Sequence, residues 1–222
     1  IMKRHFRKTI CSCLLAAACL AFFPKTAFAA EDLIRVGLSS SLKNVSSVYI
    51  KNTSALLGLY DNFEEFGEIS SRDGFYVKTQ SGYFVDLGLN LRDYGDALSE
   101  AESIEDMGYD AAPLCFSERN FSVIVYGGSP ESAEEIAEDL GGKFISGSGI
   151  IEVWGGDNLL AAFDGANPQF EPTDKGVVDL GSRKYRGRLE VGMFNGNLLT
   201  AINVLSLNDY LYGVLPSEMP QS

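Results

Sequence analysis

Residues 121–145 read FSVIVYGGSPESAEEIAEDLGGKFI, and this stretch predicts a β-strand, an α-helix and a second β-strand. The apolar and β-branched residues of 121–126 favour a strand. Ser129 is the expected N-cap of the helix, and Pro130 suits its first position. One helix face is apolar, and Gly141 is typical of the residue that follows a helix; the apolar positions are Ala133, Ile136, Ala137 and Leu140. We therefore predict one β-α-β module with a second strand over 143–145.

On the N-terminal side of this module, short apolar runs alternate with glycine, serine, asparagine and aspartate. This pattern is typical of short strands separated by turns, and we expect a meandering antiparallel sheet. The predicted strands are 33–38, 45–50, 56–60, 67–69, 74–78 and 82–85. Residues 93–109 are acidic and sparsely apolar, which indicates an exposed connection with a short helix over 96–106.

On the C-terminal side, residues 149–154 and 159–163 flank a glycine-rich turn and predict a hairpin. Residues 164–174 contain two prolines and predict a linker. Further strands are expected at 177–180, 186–191 and 198–205, around the turn at Asn195-Gly196. The chain is thus predicted to be α+β but predominantly β, with antiparallel sheets, one inserted β-α-β module and a few short helices.

The first 29 residues have the three parts of a secretory signal. Basic residues come first, an apolar stretch over 10–23 follows, and Ala27-Phe28-Ala29 supplies the small residues of a cleavage site. We predict export with cleavage after Ala29. A retained membrane anchor and a lipoprotein modified at Cys19 are the alternatives. The predicted division is a signal over 1–29, a β-rich region over 30–119, the β-α-β module with hairpin and linker over 120–172, and a last region over 173–222.

The formal charge of the chain is −12. Removing residues 1–29 takes away five basic residues and no acidic one, which leaves 13 basic against 30 acidic residues and a charge of −17. Such an acidic surface argues against nucleic acid or anionic lipid as a partner, because phosphate binding requires clustered lysine and arginine. A neutral glycan is compatible with it.

Cysteine and histidine are nearly absent after residue 29, where only Cys115 is present. Residues 30–222 therefore cannot supply an intrachain disulfide, a Ser-His-Asp triad, a Cys-His pair or a histidine ligand for zinc. Cys115 stands in an apolar context and is expected to be a small buried residue, not a nucleophile. We expect no metal and no cofactor, and carboxylates are the natural candidates for catalysis.

One carboxylate, Glu218, stands between Pro216 and Pro220. The prolines predict an irregular, stiff segment in place of a solvated helix. Tyr210 and Tyr212 lie shortly before it, and an apolar aromatic surface can both form the wall of a sugar site and raise a carboxyl pKa. Glu218 is thus a candidate general acid; the alternative is a polar loop residue without a catalytic role.

Residues 201–220 read AINVLSLNDYLYGVLPSEMP, and together with Tyr185-Arg186-Gly187 they resemble the stage II sporulation protein D/LytB family. In that family a YRG segment precedes a strand and a YLxGVxPxEM signature, whose glutamate is the proposed catalytic acid. The resemblance implies a peptidoglycan lytic transglycosylase with Glu218 as its acid. The family continues beyond this signature into a helix rich in alanine and arginine, so we expect the present 222 residues alone to be inactive.

The resemblance also implies the partners. These are peptidoglycan glycan strands, a cell-wall amidase that removes their stem peptides, and membrane-bound sporulation proteins. Tyr210, Tyr212 and Arg186 are the candidate substrate-binding residues, with core packing as the alternative for the tyrosines and a solvated strand edge for the arginine. The β-α-β module resembles half of a sporulation-related repeat, a glycan-binding module. An alternative function is accordingly a non-catalytic glycan-binding scaffold or amidase enhancer.

Overall fold

The computed structural model describes residues 33–38, 40–59, 65–79, 82–174 and 176–218, with only the backbone for 214–218. The residues from Leu33 onward form one compact unit. The predicted signal over 1–29 lies outside the described residues. No helix within the described ranges has the length and apolar character that a membrane span requires.

Strands dominate the described chain, and three α-helices and one 3-10 turn accompany them. The strands are β1 (Leu33–Gly37), β2 (Lys43–Val45), β3 (Ser47–Ile50), β4 (Ser54–Leu59), β5 (Gly67–Ser70), β6 (Phe75–Lys78), β7 (Tyr83–Asp86), β8 (Ala111–Ser117), β9 (Asn120–Tyr126), β10 (Lys143–Ser146), β11 (Ile150–Gly155), β12 (Asn158–Asp164), β13 (Pro168–Pro172), β14 (Val178–Asp179), β15 (Lys184–Tyr185), β16 (Arg188–Asn195) and β17 (Leu198–Ser206). The helices are α1 (Tyr94–Glu105), α2 (Pro130–Leu140) and α3 (Leu207–Glu218), and the 3-10 turn is Ser40–Leu42. The prediction of an α+β, predominantly β chain is confirmed.

The first sheet is antiparallel, with the order β1-β17-β16-β13-β4-β5, and β2 also pairs with β17. Its inner face is apolar because alternate strand residues point to the same side. Leu57, Phe170, Leu189, Leu199 and Ala201 on that face are fully buried. They pack in one cluster with residues of the second sheet such as those of β6 and β11, so the two sheets form a sandwich.

The second sheet has the order β10-β7-β9-β8-β12-β11-β6-β3, and only β8 and β12 run parallel. Just three residues, 147–149, join β10 to β11, although four strands lie between these two in the sheet. In a flat sheet the two would be about 24 Å apart, but four Cα–Cα steps span only about 15 Å. The strands from β10 to β11 must therefore curl into a partial barrel.

The interior of this partial barrel is filled by a separate apolar cluster. Its buried members come from five strands: Phe84, Ala112, Leu114, Ile124, Ile150, Leu159 and Ala162. A small barrel leaves room inside for side chains only, so this interior is packed core and not a ligand cavity.

The chain from β7 to β10 forms a β-α-β-β-α-β unit with the strand order β10-β7-β9-β8. This is the split β-α-β arrangement of ferredoxin-like modules. Both helices cover the same face, where Ala101 and Ile104 of α1 and Ala133 and Ile136 of α2 contact Val85, Val123 and Val125. The predicted β-α-β piece is thus present, with Ser129 accepting from the N–H of Ser132 at 3.1 Å and Gly141 closing α2 at φ 74°.

Two sequence-based expectations about the chain before β8 are wrong. Residues 93–109 are not an exposed connection, because α1 buries Tyr94, Ala97, Ala101 and Ile104 against the sheet. The N-terminal strands do not form a meander, because β4 and β5 lie in the first sheet while β3, β6 and β7 lie in the second.

The predicted linker over 164–174 contains β13, which lies between β4 and β16 in the first sheet. Pro168 and Pro172 are the first and last residues of this strand, where the missing N–H groups cost least, and Phe170 between them is fully buried. The strands before and after this segment share the first sheet.

Candidate functional site

The segment that carries the family resemblance begins with β17 and continues directly into α3. Ser206, the last residue of β17, caps the helix. Its Oγ accepts from the backbone N–H of Asp209 and donates to Oδ2 of Asp209, both at 3.1 Å. A serine whose hydroxyl accepts from the N–H three residues later is an N-cap, which fixes where the helix starts. The sequence Ser-Leu-Asn-Asp therefore converts the strand into the helix without a loop.

The Tyr185-Arg186-Gly187 segment makes a tight turn against β17. Gly187 has φ +79°, and a Cβ at this position would overlap the carbonyl oxygen of Val204. Asn203 is buried, and its amide nitrogen donates to the carbonyl oxygens of Arg186 at 2.9 Å and Arg188 at 3.1 Å. Only glycine both tolerates this backbone conformation and permits this approach. The turn is thereby held on the strand that leads into α3.

Arg186 reaches from this turn to the first turn of α3. Its Nη1 lies 3.2 Å from Oδ1 of Asp209, and the two side chains are 63% and 42% exposed. A pair so accessible to water adds little stability, but it orients both groups at the surface. This contact joins the two sequence segments on which the resemblance rests, although the two residues are 23 positions apart in the chain.

The two candidate tyrosines of α3 differ in exposure. Tyr212 is 71% exposed, and Leu207 and Leu211 on the same helix are 43% and 40% exposed. Tyr210 is half-buried. Core packing therefore does not account for Tyr212, whose ring is accessible to a ligand. The exposed surface of α3 is apolar and aromatic, a character that suits the face of a sugar ring.

Glu218 is the last described residue of α3, so the expectation of an irregular segment at this position is wrong. A proline disfavours the helical conformation of the residue directly before it, which for Pro220 is Met219 and not Glu218. Pro216 lies within the helix and removes one backbone hydrogen bond there. Along an α-helix, Glu218 is about 14 Å from Asp209. Met219 and Pro220 lie outside the described residues.

The basic residues near the turn have acidic partners. Lys184 lies 3.8 Å from Asp179, and Arg188 lies 3.5 Å from Glu171. Together with the pair of Arg186 and Asp209, these contacts neutralise much of the basic cluster that the sequence places over 183–188. Arg186 and its neighbours are thus better described as surface ion pairs than as a positive patch.

Sequence reasoning missed an ion pair with a buried carboxylate on the outer face of the first sheet. Arg35 of β1 donates from Nε and Nη2 to Glu190 of β16 at 3.0 and 2.5 Å, and Glu190 is fully buried. Gln169 of β13 donates to the same carboxylate at 3.4 Å. The one sequence signal is the alternation Arg188, Glu190, Gly192 in β16, which places polar residues on the face opposite the core.

Cys115 is confirmed as a buried residue with 1% exposure. Burial in the core, and secondarily the charge of Glu118, raises the pKa of its thiol to about 12. Reactive cysteines have a lowered pKa and access to solvent, so Cys115 is not a candidate nucleophile. Within the described ranges, no group of three or more histidine, cysteine, aspartate or glutamate side chains is placed to hold a metal ion.

Comparisons with protein-family models, with curated proteins and with solved structures give no match for this chain.

Proposed function

We propose that this chain is an exported cell-wall protein of the stage II sporulation protein D/LytB type, and that it remodels peptidoglycan during sporulation. The observation that supports the proposal most is the contact between the two motif segments, through Arg186 and Asp209 and through Asn203 and the turn at Gly187. A motif whose separate parts meet at one corner of the fold is more specific than either part alone.

In the proposed reaction, Glu218 serves as the acid and then as the base of a lytic transglycosylase. It first gives its proton to the glycosidic oxygen as the bond to the anomeric carbon breaks. The 6-hydroxyl of the same muramic acid then attacks that carbon and passes its proton to Glu218. The product is a 1,6-anhydro sugar, no water is consumed, and Glu218 ends protonated as it began. One carboxylate suffices, whereas most hydrolases need two.

The substrate-binding role belongs to the surface around α3. Tyr212, and in part Tyr210, supplies a ring surface for the sugar, and Arg186 supplies hydrogen-bond donors held in place by Asp209. The proposed partners are glycan strands without stem peptides, the amidase that prepares them and membrane-bound sporulation proteins. The acidic charge of the chain is compatible with a neutral glycan backbone.

A second candidate function is a non-catalytic glycan-binding scaffold or amidase enhancer. A cluster of rings on the second sheet favours it. The rings of Tyr49 and Tyr76 lie 4.7 Å apart, and Nζ of Lys78 lies 5.6 Å from the Tyr76 ring and 5.2 Å from the Trp154 ring. Tyr76 is 41% exposed. Exposed aromatic rings next to polar groups suit a sugar, although a cation–π cluster also stabilises a sheet by itself.

One assay separates the two functions. The whole gene product is incubated with peptidoglycan that an amidase has stripped of stem peptides, and the soluble products are identified by mass spectrometry. The transglycosylase proposal expects 1,6-anhydro products from stripped material and far fewer from untreated material. Products with reducing ends would contradict it, and binding without any product would favour the scaffold.

A further inference from the structure

An open pocket of about 720 Å³ lies on the first sheet, away from α3. It forms at the edge of the sheet, where two short strands, β1 and β2, pair with β17 in place of one continuous strand. β1 pairs with residues 202–206 of β17 and β2 pairs with residues 199 and 200, while the 3-10 turn Ser40–Leu42 separates the two short strands. The interruption leaves a recess that a continuous strand would fill.

Two basic residues line the pocket, and one of them, Arg35, is paired with the carboxylate of Glu190 beneath it. Arg35 and Lys43 line it, and none of its lining residues is acidic. The buried carboxylate of Glu190 fixes the guanidinium of Arg35 through two hydrogen bonds. Lys43 is exposed on the opposite side of the recess, in β2. An anionic group in the pocket would meet a pre-positioned arginine and an exposed lysine, an arrangement that suits a single carboxylate.

The remaining lining is both aromatic and polar. Phe194 is 53% exposed, an unusual degree for so large an apolar side chain, and Ile202 is a second apolar residue of the lining. Asn44 and Thr200 contribute an amide and a hydroxyl, and the backbone N–H of Asn44 contacts Oγ1 of Thr200 at 3.4 Å. An apolar ring together with hydrogen-bonding groups matches the two kinds of surface that a sugar presents.

We propose that this pocket binds a sugar that carries a carboxylate. The carboxylate lies between Lys43 and Arg35, and the sugar ring lies against Phe194. The substrate class rests on the proposed function: on a peptidoglycan strand, the matching sugar is a muramic acid whose lactyl carboxylate has been released from its peptide. A peptide-bearing muramic acid has an amide at this place and no charge. The pocket would thus select stripped strands and hold them on the sheet that leads into α3.

The test measures binding of three soluble probes by titration calorimetry or ligand-observed NMR. The probes are N-acetylmuramic acid, its methylamide and N-acetylglucosamine. We expect the acid to bind at least about tenfold more tightly than the amide, which is the lower range for a charge-assisted hydrogen bond. Added salt should weaken binding of the acid and leave binding of the amide unchanged.

Four variants localise the effect. Lys43→Gln and the charge reversal Lys43→Glu should remove the preference for the acid, while Phe194→Ala should weaken acid and amide by similar factors. Lys51→Gln, at an exposed lysine outside the pocket, is the matched control and should change nothing. Absence of saturable binding, equal binding of acid and amide, or a preference that survives both changes at Lys43 would overturn the proposal. The titrations are independent of Glu218, so loss of the catalytic proposal alone would leave their result standing.

Discussion

Gly187 occupies a position where no side chain fits. Its φ of +79° lies in the left-handed region, and a Cβ would meet the backbone of β17. The neighbouring Asn203 binds the carbonyl groups on both sides of it. Glycine is therefore required at this position for two reasons: the left-handed backbone conformation and the lack of space for a Cβ. Comparison with another glycine separates the two contributions to stability.

Gly196 provides that comparison. It has φ +58° in the turn between β16 and β17, and a Cβ there would meet nothing within 4 Å. We expect Gly196→Ala to lower the free energy of unfolding by about 1 kcal/mol, the cost of the left-handed conformation alone. Gly187→Ala should cost about 3 kcal/mol or more, because the overlap adds to the same conformational cost. Urea denaturation measures both, and equal losses would contradict the close approach of Gly187 to β17.

At the scale of elements, the corner between β17 and α3 depends on a few polar contacts. The N-cap contacts between Ser206 and Asp209 start the helix, and Arg186 joins the same aspartate from the turn before β16. Asp209 therefore serves both segments of the motif. If the contact is present in solution, the effects of changing its two sides should not be independent.

A double-mutant cycle tests this contact. Arg186→Ala and Asp209→Ala, singly and together, should give a coupling free energy of about 0.2 to 1 kcal/mol, as expected for an exposed ion pair. Asp209→Ala alone should cost more than Arg186→Ala, because it also removes the hydrogen bond that the Asp209 carboxylate accepts from the Ser206 hydroxyl. The coupling should fall with added salt. A second cycle with Arg188 and Asp209, for which the structure shows no direct contact, is the reference. Equal coupling in both cycles would contradict the ion pair between Arg186 and Asp209.

Two carboxyl groups at the corner between α1 and β8 should make the stability of the fold depend on pH. Burial raises the pKa of Asp110 above its usual 3.8, and burial, then the charges of Asp110, Glu102 and Asp106, raises that of Glu105. A raised pKa in the folded state means that the ionised carboxylate opposes folding at neutral pH. This penalty disappears as the pH falls below the pKa that the same carboxyl groups have in the unfolded chain, because they are then protonated in both states.

Asp110→Asn should therefore raise the melting temperature at pH 7 and have no such effect near pH 3. Asp157→Asn, in the exposed turn between β11 and β12, is the control and should change little at either pH. Melting curves at the two pH values measure the difference. A stabilisation that is the same at both would point to a packing effect and not to the charge.

At the scale of the whole molecule, the strands themselves are largely predictable from the sequence, but their partners are not. Period-two alternation and glycine-rich turns mark β1, β9, β11, β12 and β17. The pairing of Leu33 with Ser206 or of Arg35 with Glu190 joins residues more than 150 positions apart, and no local pattern specifies it. The strands β8 and β13 escape prediction because Pro113, Pro168 and Pro172 mimic turn signals.

The candidate site divides in the same way. The motif residues Arg186, Tyr210, Tyr212 and Glu218 can be selected from the sequence because the resemblance is local. The contact of Arg186 with Asp209 and the pocket beside Lys43 depend on the sheet order, which brings β1, β2 and β16 to β17. These features emerge only when the chain is folded.

The central claim is that Glu218 is the proton donor, and one substitution tests it most directly. Glu218→Gln keeps the size of the side chain and removes its titratable proton. In the whole gene product, we expect release of 1,6-anhydro products from amidase-treated peptidoglycan to fall by about 10²- to 10⁴-fold, while binding to the same material and the melting temperature stay close to those of the unchanged protein. Glu134→Gln, at an exposed position of α2, is the matched control. Product release that is unchanged in Glu218→Gln would contradict the claim.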